Sequence, residues 1–235
     1  MSYSVIYQDI GLKGYKEAWD YQEKIFGKLV DIKLHNDQNA SLNENTGSGT
    51  LIFVEHPHVY TLGKSGSENN LLIDLIQLKA KDAKFFKTNR GGDITYHGPG
   101  QIVGYPIFDL EKIKIGLKEY IYRLEEAIIM TVSAFGIKGS RLVGATGVWL
   151  DPGNKSKARK ICAIGVKASR FITMHGFAFN VNTDLTYFNY INPCGMADKG
   201  VTSLEKELGE KQDFEKIKLL VKNNLQFVFD LSWTN

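Results

Sequence analysis

Cys194 stands in Asn192-Pro193-Cys194-Gly195 and is one of two cysteines in 235 residues. Proline fixes its own φ and biases Asn192 toward extended backbone, while Gly195 admits angles closed to other residues. The thiol is therefore expected at a rigid bend with little bulk beside it, as a nucleophile requires. Cys162 differs, lying within Ile161-Cys162-Ala163-Ile164-Gly165-Val166. A free cysteine in an apolar run behaves as a small core hydrophobe. A thiol with pKa near 8.5 is only about 3% ionised at neutral pH. An ammonium about 4 Å away, at an effective dielectric near 20, adds up to about 4 kcal/mol in favour of the thiolate. Cys194 needs such a helper.

A second chemical signal is Arg90-Gly91-Gly92-Asp93-Ile94-Thr95-Tyr96-His97-Gly98-Pro99-Gly100-Gln101, with four glycines in twelve positions. Its spacing is neither a Walker A loop nor a dinucleotide fingerprint. Arg90 has the fork to hold a carboxylate or phosphate, and His97 can wall a pocket or carry a proton. A tight hairpin between two strands is the alternative reading. His56-Pro57-His58 is a weak metal pair, and no Cys-x-x-Cys or His-Glu-x-x-His occurs, so no metal is expected. Lys155, Lys157, Arg159 and Lys160 cluster within six positions. They read either as a solvated hairpin tip or as a patch that docks an acidic partner.

These residues need a scaffold. An apolar fraction of 43% with 23% charged residues fits a globular chain with a substantial core. The net charge of +3 gives no reason to expect nucleic-acid binding. The apolar runs are too short for a membrane helix, the start does not read as a secretory signal, and two dissimilar cysteines suit a reducing cytosol. Periodicity predicts helices over Tyr15–Leu29, Leu117–Phe135 and Asp213–Phe229, with a capping box at Thr202-Ser203-Leu204-Glu205. Residues His35 to Gly49 read as a polar loop. Strands are expected at Leu51–Val54, Ile94–Tyr96, Ile102–Leu110, Gly147–Leu150, Ile161–Ala168 and Ile172–Val181. Asp151-Pro152-Gly153-Asn154 turns a hairpin between two of them. The interspersed elements predict an α/β fold, a mixed sheet flanked by helices, in one domain over 1–235. The helices after about residue 202 are candidates for a small C-terminal subdomain.

The glycine-rich stretch, Lys160-Ile161-Cys162-Ala163-Ile164-Gly165, His175-Gly176-Phe177-Ala178-Phe179-Asn180-Val181-Asn182 and Ile191-Asn192-Pro193-Cys194-Gly195 follow in that order. Together with Glu55-His56-Pro57 and Tyr60-Thr61-Leu62-Gly63, they resemble the lipoyl(octanoyl) transferases of the biotin and lipoate protein ligase superfamily. The resemblance covers about Leu51 to Leu204 and implies the mixed α/β catalytic domain of those ligases. It makes Cys194 the acyl-thioester nucleophile and Lys160 its partner, thirty-four positions earlier. It places Arg90, Gly91, Gly92, Asp93, Ile94, Thr95, Tyr96 and His97 along the acyl pocket. Ala163, Ile164, Gly165, Gly176, Phe177 and Ala178 join them, and Gly165, Gly176 and Ala178 are small enough to leave room for a chain. Lys167 is one strand-step too far along to be the helper.

The implied reaction moves an octanoyl group from the phosphopantetheine arm of acyl carrier protein to a lysine of an apo lipoyl domain. The acceptors implied are lipoyl domains of 2-oxoacid dehydrogenase complexes and the glycine cleavage H protein. Thioester energy suffices for the amide, so neither ATP nor metal is expected, and the setting implied is the cytoplasm. Three competitors remain: an ATP-dependent lipoate or biotin ligase, a cysteine thioester hydrolase using His97, and a binding module using the basic cluster.

Overall fold

Leu51-Ile52-Phe53-Val54 is buried throughout because its strand lies in a middle layer. Alternate residues of a strand face opposite sides. Leu51 and Phe53 enter the cluster formed with two helices on one side, and Ile52 and Val54 meet a third helix on the other. The computed structural model describes residues 2–36, 48–192 and 199–234.

Within them the chain runs β1 (Tyr3–Leu12), α1 (Tyr15–Asn36), β2 (Gly49–Glu55), β3 (Val59–Leu62), α2 (Leu75–Ala80), β4 (Lys84–Lys87), β5 (Ile94–His97) and β6 (Gln101–Ile107). It continues through α3 (Leu117–Ser133), β7 (Ser140–Leu142), β8 (Ala145–Leu150), β9 (Arg159–Ser169) and β10 (Ile172–Asn180). Then come β11 (Gly200–Val201), α4 (Leu204–Leu208), α5 (Phe214–Phe229) and β12 (Leu231–Thr234). The main sheet has the order β12-β1-β2-β6-β10-β9-β8-β7, with β11 pairing β9, and β4-β3-β5 form a second sheet. β1 is parallel to both β12 and β2, whereas β2 through β9 pair antiparallel, so the sheet is mixed as expected.

Helix α1 places Ala18, Phe26 and Leu29 on one buried face, and it extends beyond the predicted end at Leu29 to Asn36. In α3, Tyr120, Leu124, Ala127, Ile128 and Val132 form the inward stripe. Gly136, at φ +73°, follows its last turn as the sequence suggests. Helix α5 is capped by Asp213, which accepts from Lys216 N at 3.1 Å. Its Ile217, Val221, Leu225 and Phe229 join the same cluster as α3. Each fully buried large apolar side chain contributes about 1.5–3 kcal/mol, so this shared face ties the C-terminal helix firmly to the sheet.

Two local expectations change. The cap of α4 is Ser203, accepting from Lys206 N at 3.2 Å, so the predicted box is shifted by one residue. The Thr202 hydroxyl instead donates to Glu207. Strand β6 stops at Ile107, short of the predicted Leu110, because Asp109 and Leu110 turn to meet β10 and Phe171. The Asp151–Asn154 turn does join β8 to β9, with Asn154 N donating to Asp151 O at 3.0 Å.

Candidate active site

Arg90 is 7% exposed, and its guanidinium is spent on the protein. Nη2 donates to Thr61 O at 2.6 Å, Thr61 Oγ1 at 3.0 Å and Asp93 O at 2.7 Å. Nη1 donates to Gly91 O at 2.9 Å. The fork that suggested an anion ligand from sequence thus folds the glycine-rich loop around itself. Asp93 Oδ1 accepts from Ile94 N at 2.7 Å, and its Oδ2 accepts from Asn70 Nδ2 at 2.6 Å.

The loop then lies against β9, where Gly91 N donates to Val166 O at 2.8 Å. A Cβ at Gly165 would sit 2.9 Å from Gly91 O, and one at Gly176 would sit 2.1 Å from Gly104 O. These two glycines permit a close loop and a close strand. A side chain at either position would meet backbone, so their small size also serves the close packing of loop and strands.

Loop, β9 and β10 enclose a cavity of about 640 Å³. Its walls include Arg90 through Thr95, His97, Lys160, Ala163 through Gly165, and Gly176 through Ala178. Tyr96 is the exception among the described candidates. Strand alternation turns it away from Thr95 and His97 into the core under the second sheet, stacked on Tyr187 at 4.9 Å. Its hydroxyl is 2.7 Å from His58 Nδ1, which gives that histidine a structural partner.

Lys160 Nζ lies 4.7 Å from the centre of the Trp149 ring. Cys194 falls outside the described residues, yet the chain on both sides of it is placed. Ile191, three positions before it, and Lys199, Gly200 and Val201 after it all line the cavity. Val201 pairs directly with Lys160 in the β11–β9 ladder. Upstream, Asn192 N donates to Asn70 O at 2.8 Å, so Asn70 links the glycine-rich loop to the last described residue before the Cys194 segment.

His97 has both ring nitrogens engaged. Gln101 directs its Nε2 to Asn180 Oδ1 at 2.8 Å, so its Oε1 accepts from His97 Nδ1 at 2.9 Å. His97 Nε2 is then the acceptor facing Thr61 Oγ1 at 3.2 Å. Burial, with His56 and Arg90 nearby, holds the ring well below the ordinary imidazole pKa. The ring also stacks on Tyr15 at 5.9 Å, which makes it a neutral wall.

A family model of the lipoyl protein ligase A/B catalytic domain matches residues 15–226. The chain belongs to that family. It is 54% identical over 230 residues to an octanoyltransferase of Christiangramia forsetii, covering 97% of each chain. It is 53% identical over 231 residues to the octanoyltransferase of Flavobacterium johnsoniae, covering 98% of each. In fold it is similar to a lipoate-protein ligase A solved with ATP, at TM-score 0.72 and 12% identity, covering 100% of this chain and 88% of that one.

Several lining residues of this family member were not singled out from sequence. Tyr15, Gln101, Trp149 and His175 line the cavity, and only the Gln101 and His175 motif positions carried any signal. His175 adopts φ +60°, a conformation costly for a residue with a Cβ. It is held there by its backbone N donating to Gln22 Oε1 at 3.0 Å and its Nε2 donating to Asn89 Oδ1 at 2.6 Å. Burial, then Arg90 and Lys167, depress its pKa to about 3.

Cys162 is fully buried, and desolvation raises its thiol pKa despite Lys160 nearby. Lys167 approaches Glu23 at 3.6 Å and the Phe26 ring at 4.6 Å, on the α1 side. Of the basic cluster, Arg159 is neutralised by Glu207 and Asp151, leaving Lys155 and Lys157 as its exposed cations. Among the described residues, no acidic, histidine or cysteine cluster is arranged to hold a metal, and no helix is long and apolar enough to cross a membrane.

Proposed function

We propose that this chain transfers an octanoyl group from octanoyl-acyl carrier protein to a lysine of apo lipoyl domains, through a thioester on Cys194. The observation that supports this reading is the convergence of the cavity walls. The residues flanking Cys194 enter the same cavity as Lys160, and Val201 is Lys160's strand partner. The described chain on either side of the Cys194 segment, at Ile191 and at Lys199 to Val201, thus shares cavity walls with Lys160, which supports pairing that lysine with Cys194.

The Lys160 ammonium stabilises the Cys194 thiolate, which attacks the carrier's thioester carbonyl. The carbon–sulfur bond to the pantetheine thiol breaks, and that sulfur leaves with the Lys160 proton. The neutral amine of the acceptor lysine then attacks the acyl-Cys194 carbonyl. An amide forms, the bond to Cys194 breaks, and neutral Lys160 takes the surplus amine proton, restoring the starting pair. Backbone N–H groups of the glycine-rich loop are candidates for meeting the oxyanion. His97, with both nitrogens engaged, serves as wall. The thioester supplies the energy, so the cycle needs neither ATP nor metal. Lys155 and Lys157 offer an attraction to an acidic carrier, and a reducing cytosol suits the thiol.

Intact-protein mass spectrometry after incubation with octanoyl-acyl carrier protein tests the reading. One hydroxylamine-labile octanoyl group should appear on Cys194 without ATP. Acyl transfer that depends on ATP and survives Cys194→Ala would assign the chain to ligase chemistry instead.

A further inference from the structure

The β7–β8 turn presents the most exposed large apolar side chain among the described residues at the edge of the cavity. Leu142 pairs with Ala145, so Val143 and Gly144 are the whole turn, and Gly144 takes φ +80°. Val143 is 101% exposed. A single exposed valine is ordinary; its position is what matters here. The two residues after it, Gly144 and Ala145, line the cavity, as does Leu117, itself 42% exposed at the start of α3.

The turn is also held rigidly. Arg141 donates to Glu125 Oε2 at 3.0 Å, Glu126 Oε2 at 2.6 Å and Tyr122 O at 2.9 Å, and its guanidinium lies 3.6 Å from the Tyr122 ring centre. Glu125 Oε1 accepts from Gly147 N at 2.9 Å, so both strands of the hairpin are fastened to α3. A preorganised apolar tip loses little entropy when a partner covers it.

We propose that Val143 and the exposed edge of Leu117 form the docking lip for the folded acceptor domain, resting on the acyl-transfer reading above. The geometry of the two substrates favours the acceptor over the carrier. A lysine amine lies only about 6 Å from its Cα, so the acceptor's own surface must reach the rim of the cavity. A carrier works through a far longer prosthetic arm and can stand off. The exposed Lys155 and Lys157 lie beyond the opposite end of β8, about 16 Å along that strand. One strand therefore separates an apolar end, for the acceptor, from a cationic end.

The test uses the full-length enzyme with Val143→Asp and Val143→Ala, neither of which touches the core. Three quantities are measured: acylation by octanoyl-acyl carrier protein, transfer from acyl-enzyme to an apo lipoyl domain, and transfer to Nα-acetyl-lysine amide. Val143→Asp should slow transfer to the domain about tenfold, and Val143→Ala less. Acylation and transfer to the small amine should stay within about twofold of the parent. Equal rates to the domain, or equal losses in all three reactions, would overturn the lip. Direct binding of the apo domain to parent and Val143→Asp separates the two ideas. Equal affinity removes the lip, whereas absence of any acyl adduct on the parent enzyme removes the reaction on which it rests.

Discussion

Arg90 and Lys160 are both cations that line the same cavity, and the fold uses them in opposite ways. Arg90 comes from the loop before β5, and its nitrogens donate to Thr61, Gly91 and Asp93. Lys160 comes from β9, beside the strand that follows the Cys194 segment, with its ammonium over the Trp149 face. A planar fork with fixed donors suits bracing, whereas a compact ammonium on a flexible stem can exchange a proton. Charge in a pocket is thus a poor guide to role until its donors are traced.

The largest effect should come from Lys160. Lys160→Ala is expected to lower turnover about a thousandfold, within the range that positioned acid–base groups supply. Lys160→Arg sharpens the comparison because it keeps the charge but cannot readily accept a proton. Single-turnover measurements should show partial Cys194 acylation with poor onward transfer. Normal rates for both half-reactions in Lys160→Ala would make this lysine a second brace.

Acid should expose what Arg90 and burial impose on the neighbouring histidines. His56 is depressed to about 4 and His175 to about 3, chiefly by burial, and His97 well below its usual range. Unfolded histidines titrate near 6.5. Since the folded values are lower, stability is fully present above about pH 6.5 and is lost as pH falls, when the unfolded chain binds protons the folded one refuses. The loss should approach about 2 kcal/mol per histidine by pH 5. Urea unfolding at pH 7, 6 and 5 checks it, and a flat profile would contradict the neutral, buried rings.

Arg90→Lys should cost stability and loop order together. The fork's buried, charge-assisted hydrogen bonds are each worth about 1.5–3 kcal/mol, and an ammonium cannot reproduce their geometry. A net loss of about 3 kcal/mol in urea unfolding is expected, with reduced activity. A variant of normal stability and impaired activity would mean that Arg90 acts on substrate after all.

Much of this architecture was legible because local signals agreed with tertiary demands. The α3 stripe and its terminal glycine, the Asp151–Asn154 hairpin and the ordered motifs all speak through near neighbours in sequence. What escaped was fixed by distant partners. β1 and β12 meet across the whole chain length, with Tyr3 opposite Leu231, and β3 and β4 are four-residue strands completed only by each other and β5. Tyr96 belonged to a readable motif, but strand direction decided which side it faced. Asn70 gave no signal at all, since its importance lies in joining Asp93 to Asn192.

Asn70→Ala is therefore a smaller and more pointed test. It removes the side-chain bond to Asp93 while leaving the carbonyl that receives Asn192 N. Stability should fall by about 1 kcal/mol. Turnover should fall several-fold through slower Cys194 acylation, and Asp93→Asn should lose at least as much, because both carboxylate oxygens accept hydrogen bonds and an amide has only one oxygen to do so. Unchanged acylation in Asn70→Ala would mean that this link does not bear on the proposed chemistry at Cys194.

The smallest effect should belong to Cys162, and it sharpens the lesson of the two cations. Cys162 lies on the same strand as Lys160, two residues on, and that ammonium does favour its thiolate. Burial opposes ionisation more strongly, so the thiol is held above its ordinary pKa and stays protonated. Cys162→Ala should keep activity within about twofold and cost about 1 kcal/mol for the deleted buried sulfur. Alkylation at neutral pH should label Cys194 alone, with Cys162 reacting only in denaturant. Native-state labelling of Cys162 would mean that its burial against Val148 and the α3 face is breached in solution. Nearness to Lys160 in sequence does not make Cys162 reactive, because desolvation outweighs the ammonium there.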